Sequence, residues 1–142
     1  MENPQYKLLS LCPIETPGKP GKLVDLDITK ICLQNKINFI IRKCFYINDL
    51  NSSLGRGNHS NDNASEILVC LTGSFHIMLF NGTDTFNLKM RQNDAIFINK
   101  NIWIEFCDFK ECVIMAFVSV DPNEKHSCYD FDQYIKKKSS NK

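Results

Sequence analysis

The residues whose types and spacing could do chemistry sit close together. They are Arg56, Gly57, His59, Asn61 and Glu66, with Gly73 closing the apolar run that follows. A histidine trades protons near neutral pH because its ordinary pKa is about 6.5. On an extended chain the i, i+2 spacing turns His59 and Asn61 to one face. That makes a local set of one proton-transfer group, one amide and, a short gap later, one carboxylate. The other two histidines read differently. His76, inside Phe75-His76-Ile77, is expected on a strand surface, and His126 in a polar C-terminal loop is expected to be solvated.

The chain that must position these residues has 142 residues, 17 basic and 16 acidic, with formal net charge +1. That length suits one domain with a single core. The near-neutral balance argues against a nucleic-acid module, which would be strongly basic. No apolar run approaches the roughly 20 residues of a membrane span, and the first 17 residues do not read as a signal peptide. The seven cysteines are odd in number and form no C-x-x-C pair. Several lie in apolar runs, so they read as small core side chains in a reducing cytoplasm. Pro13 to Gly21 holds three prolines and two glycines and reads as surface loop. Residues 1–21 are therefore expected as an N-terminal extension and 22–142 as the domain.

From Lys22 the texture is short apolar runs between turns. Strands are expected over 23–26, 37–47, 66–71, 74–80, 83–90, 95–98, 102–106 and 112–120. Asn81-Gly82 is a strong hairpin signal. Only 129–138 reads as a helix, with lysines near its end that suit the helix dipole. The pattern predicts an all-β sandwich or barrel with a short C-terminal helix.

His59, Asn61, Glu66 and Gly73 together resemble the first motif of the cupins. Metal-dependent cupins bind their metal through two histidines, a glutamate and a third, later histidine. Here Asn61 takes the second position, and no histidine occurs between His76 and His126. Two ligands hold a catalytic divalent metal poorly, so no metal is expected. A fuller resemblance runs from about Gly21 onward. Ile41-Arg42-Lys43-Cys44-Phe45-Tyr46-Ile47 is similar to a basic-aromatic strand of the TDP-4-keto-6-deoxyhexose 3,4-ketoisomerases. Arg56-Gly57-Asn58-His59 resembles their Arg-Gly-x-His-x-His signature, and Leu68 to Ser74 their next strand and turn. Ile102-Trp103-Ile104-Glu105 stands where that family has a Trp-His-Glu run, with Cys107-Asp108-Phe109 following. Tyr129 to Ile135 is similar to its closing helix. The departures are Asn61 and Ile104, each in place of a histidine.

The resemblance implies a single jelly-roll cupin domain, a homodimer, no cofactor, and a TDP-linked sugar as the partner molecule. It implies His59 as the base that takes the C3 proton, with Tyr46 or water as a proton shuttle. Arg56, Arg42 or Lys43 would hold the pyrophosphate. Phe45, Tyr46, Phe97 and Trp103 are the candidate platforms for the thymine. Asn61, Glu66 and Trp103 complete the expected substrate-binding set. Asn61 can donate a hydrogen bond but cannot carry a proton. The alternative is therefore a cupin that binds the nucleotide sugar without turning it over. A 3,5-epimerase is disfavoured, because no His–Asp pairing is visible around His59.

Overall fold

The computed structural model describes residues 2–119 and 127–140. Among them run β1 (Tyr6–Ser10), β2 (Ile14–Glu15), β3 (Lys22–Leu23), α1 (Ile28–Gln34), β4 (Lys43–Leu50) and β5 (Arg56–Asn61). These are followed by β6 (Glu66–Phe80), β7 (Thr85–Arg91), β8 (Asp94–Ile98), β9 (Trp103–Val118), β10 (Ser127–Cys128) and α2 (Phe131–Ser140). All strand pairs are antiparallel. The expectation for His126 lies outside the described residues.

Two long strands, β6 and β9, organise the molecule. They pair along nearly their whole lengths and pass through both layers of the fold. The first half of β6 and the second half of β9 form one layer, extended by β8 and β1 on one side and β4 on the other. The second half of β6 and the first half of β9 form the facing layer, extended by β7 and by β5 with β10. The strands change layer where the register shifts between Cys70 and His76. Gly73 makes that shift possible. Its φ is +68°, and a Cβ there would collide with the carbonyl oxygens of Lys110 and Glu111. The turn expected at Thr72-Gly73 is thus a bulge inside one continuous strand.

The core follows from alternation. Leu68, Cys70, Ile96, Ile98, Ile114 and Ala116 of one layer meet Phe75, Ile77, Leu79, Met90, Ile104 and Phe106 of the other. This is the all-β jelly-roll arrangement expected from the sequence. A second cluster lies on the outer face of the first layer, where α1 covers it. Ile28 and Cys32 pack there against Ile67, Val69, Phe97 and Phe117. α2 covers the outer face of the second layer. Tyr134 is buried there, and its hydroxyl lies 2.8 Å from the Phe80 carbonyl oxygen and 3.0 Å from that of Asn101.

Three expectations are corrected. A strand over 23–26 is cut to Lys22–Leu23, because Asp27 caps α1 by accepting the Lys30 backbone N–H at 3.1 Å. α1 itself was not expected, since its seven residues carry no long apolar period. Tyr6–Ser10, expected in an extension ahead of the domain, is an edge strand of the main sheet, with Leu9 and Leu11 buried in the second cluster.

Candidate active site

The two layers part at one end to leave a cavity of about 400 Å³. β4 contributes Lys43, Phe45 and Ile47, and β5 contributes Arg56, Gly57, His59 and Asn61. Glu66 and Leu68 come from β6, Phe106, Ile114 and Val118 from β9, and Ser127 and Tyr129 from the segment leading into α2.

The aim of β5 depends on a bulge. Arg56 and His59 are three residues apart, so on a regular strand they would point to opposite faces. Here Arg56 pairs with Phe106 and His59 with Ile104, and Asn58 is left over between Gly57 and His59. Phe106 and Ile104 both face inward, so Arg56 and His59 do as well. The extra residue fits because Gly57 (φ +96°) and Asn58 (φ +49°) both take the left-handed region. Gly57 also sits against the Phe106 ring, where an added Cβ would lie 3.0 Å from Cδ2.

Asn61 and Glu66 form the polar floor. Both are buried. The Ser127 hydroxyl donates to Asn61 Oδ1 at 3.3 Å, which leaves the Asn61 amide to donate to Glu66. That bond crosses between the layers, since β5 belongs to one and the start of β6 to the other. Burial pushes the Glu66 carboxyl up to about 7, and the Asn61 bond offsets only part of the rise. Glu66 Oε1 has no hydrogen-bond partner among the described residues. At the mouth, Tyr129 lies against His59, with ring centroids 5.6 Å apart and planes tilted by 32°. Lys43 Nζ lies 5.5 Å from the centre of the Phe45 ring.

Of the expected site residues, the cavity brings together His59, Arg56, Asn61, Lys43 and Glu66, and with them the candidate platform Phe45. Four others do not reach it. Tyr46 alternates with Phe45 and Ile47, so it points to the outer face of β4 and is 64% exposed. Arg42 precedes β4, lies exposed, and gives its backbone N–H to Val118 O at 2.9 Å. Trp103 is buried under α2, 5.0 Å from the Phe131 ring and 5.5 Å from Tyr134, and its indole N–H donates to Glu105 Oε1. Phe97 is fully buried beside α1. Ile104 faces the barrel interior, so the residue standing for a histidine does point inward, but as core. Tyr129 and Ser127 were missed. Nothing local marks them, because a segment distant in sequence brings them to β5.

Among the described residues no group of three or more His, Cys, Asp or Glu could hold a metal ion.

Residues 10–139 match the family described as "FdtA: WxcM-like, C-terminal". The chain belongs to the FdtA family. A curated relative of this FdtA-family chain is the TDP-4-oxo-6-deoxy-alpha-D-glucose-3,4-oxoisomerase of Aneurinibacillus thermoaerophilus. The two are 30% identical over 122 residues, covering 82% of this chain and 84% of the relative. Among solved structures, a 3,4-ketoisomerase from Helicobacter canadensis superposes with TM-score 0.80 at 26% identity, covering 94% of this chain and 97% of its own. A histidine-to-asparagine variant of the 3,4-ketoisomerase QdtA from Thermoanaerobacterium thermosaccharolyticum, in complex with TDP-4-keto-6-deoxyglucose, gives 0.81 at 25%, covering 96% and 95%.

Proposed function

We propose that this FdtA-family chain is a sugar-nucleotide 3,4-ketoisomerase acting on a TDP-linked 4-keto-6-deoxyhexose, in the biosynthesis of unusual bacterial surface sugars. The observation that carries this reading is the pair aligned by the β5 bulge: a guanidinium suited to a pyrophosphate beside an imidazole suited to proton transfer, in one cavity. The assignments by resemblance to His59, Arg56 and Lys43 are supported by their common address.

The chemistry asks for little else. The C3 proton is acidic because it lies α to the C4 carbonyl. His59 takes it, an enediol forms between C3 and C4, and a proton returns at C4. The sequence of transfers is redox-neutral and calls for no oxidant or reductant. Arg56 and Lys43 hold the pyrophosphate at the mouth, which fixes the sugar over His59. Phe45 and Tyr129 are the aromatic surfaces open to a thymine ring. Tyr46 has no part in this assignment, because its side chain leaves the other face of β4.

The homodimer expected from the resemblance belongs to the same proposal, as does action in the cytoplasm. Ile40, Ile41 and Tyr46 present exposed apolar surface on and beside β4, where a second copy of the chain could pack. No helix among the described residues is long and apolar enough to cross a membrane.

Product analysis with TDP-4-keto-6-deoxyglucose tests the function. Wild-type protein is expected to form the 3-keto isomer, and His59→Asn is expected to bind TDP without forming it. A wild-type protein that binds TDP but forms no product would instead be a nucleotide-sugar-binding cupin.

A further inference from the structure

Moving the ketone from C4 to C3 relocates two protons, not one. The carbon-bound proton goes from C3 to C4, and the hydroxyl proton goes from O3 to O4. His59 accounts for the first. The positions that would offer a second histidine are Asn61, which cannot carry a proton, and Ile104, which is core.

Resting on the ketoisomerase reading above, we propose that Glu66 is the second proton-transfer residue, carrying a proton between the two substrate oxygens while His59 carries one between the two carbons. The geometry supports this in three ways. Glu66 lines the cavity that His59 lines, and it approaches from the facing layer. Its side chain is fixed by a relay in which Ser127 donates to Asn61 and Asn61 donates to Glu66. Its other oxygen, Oε1, is buried with no hydrogen-bond partner among the described residues, so its hydrogen-bonding capacity is unspent at the cavity wall. Among the described residues, the remaining ionisable and charged groups lining the cavity are Lys43 from β4, Arg56 and His59 from β5, and Tyr129 ahead of α2. The residues paired with Glu66 on β8 and β9 are the apolar Ile98 and Val118. Burial keeps the acid protonated up to about pH 7, which is the form the first step uses.

The steps balance. His59 takes H⁺ from C3, and the C3–H electron pair becomes the C3=C4 double bond. The C4 carbonyl π pair moves onto O4, which takes H⁺ from the Glu66 carboxylic acid. The enediol then gives the O3 proton to the Glu66 carboxylate, and the O3 electron pair forms the C3 carbonyl. The double-bond pair takes H⁺ from the His59 imidazolium at C4. Both residues end as they began. In this division of labour Asn61 is a positioning residue that holds the acid in place.

The test compares wild type with Glu66→Gln, which keeps the shape and the Asn61 contact. The variant is expected to lose about 10²–10⁴-fold in kcat while KM stays within about threefold. The wild-type kcat/KM is expected to fall as pH rises through about 7, because the first step needs the protonated acid. Infrared difference spectra of the wild-type protein are expected to show a protonated carboxylic acid that ionises between about pH 6 and about pH 8 and is missing from the variant. A variant with kcat within about threefold of wild type would overturn the role, as would a Glu66 ionised across that range. These results stand apart from a failure of the ketoisomerase reading, in which the wild type itself makes no 3-keto product.

Discussion

Glu66 shows how far a fold can move a side chain from its ordinary chemistry. Its carboxyl rises from 4.5 to about 7 because burial penalises the anion more than one amide bond favours it. The folded protein therefore holds this proton more tightly than the unfolded chain does. That contribution to stability is fully present below about pH 4.5 and is lost as pH rises through about 7, and the shift corresponds to about 3 kcal/mol. Glu66→Gln has no such proton. Relative to wild type it is expected to gain about 3 kcal/mol between about pH 4.5 and about pH 8. Urea melts at stepped pH measure this, and a flat difference would mean that the folded carboxyl titrates normally. Arg56 makes a second prediction at this scale. Arg56→Ala is expected to weaken TDP binding at least about tenfold, because a guanidinium–phosphate pair is among the stronger charge-assisted contacts. Calorimetric titration with TDP measures it.

At the scale of elements, the bulge in β5 decides what the strand can do. Gly57→Ala would press a Cβ against the Phe106 ring and the Ile104 carbonyl at a positive φ. The expected result is a protein that still folds but loses at least about tenfold in turnover, because Arg56 and His59 no longer share a face. Turnover matching wild type would show that the bulge does not set the aim. The docking of α2 makes the complementary prediction. Tyr134→Phe leaves the Phe80 and Asn101 carbonyls without the shared hydroxyl and is expected to cost about 1–2 kcal/mol of stability with turnover unchanged. Thermal and urea melts check it. These elements also mark what was legible in the sequence. Apolar runs gave β6 to β9 and part of β4, and the His59-x-Asn61 spacing gave a shared face, while β1 went unmarked. The bulge was not legible, because Gly57-Asn58 reads as an ordinary turn-prone pair until β9 supplies its register. The single strand through Gly73 was hidden for the same reason. Tyr46 was misplaced because the 37–47 run gives no fixed phase until β4 begins at Lys43. Trp103 looked available only while α2 had no partner.

For the whole molecule, the cavity exists because β6 and β9 are long enough to belong to both layers and the layers diverge at one end. Ligand binding there is coupled to global stability. At TDP about 100 times its Kd, the folded state is expected to gain about 2.7 kcal/mol, and the gain should shrink as salt screens Arg56 and Lys43. The proposed function places its chemistry in this cavity. Two inward positions, Asn61 and Ile104, lack the histidines of the signature that the sequence otherwise resembles. Proton transfer is expected to survive those losses, because His59 is kept and Glu66 is an acid in the same cavity. The most direct measurement is proton NMR in D₂O of the protein with TDP-4-keto-6-deoxyglucose. The expected result is loss of the C3 proton signal together with growth of a 3-keto product. A C3 signal that persists, with line broadening to show that the nucleotide is bound, would contradict it.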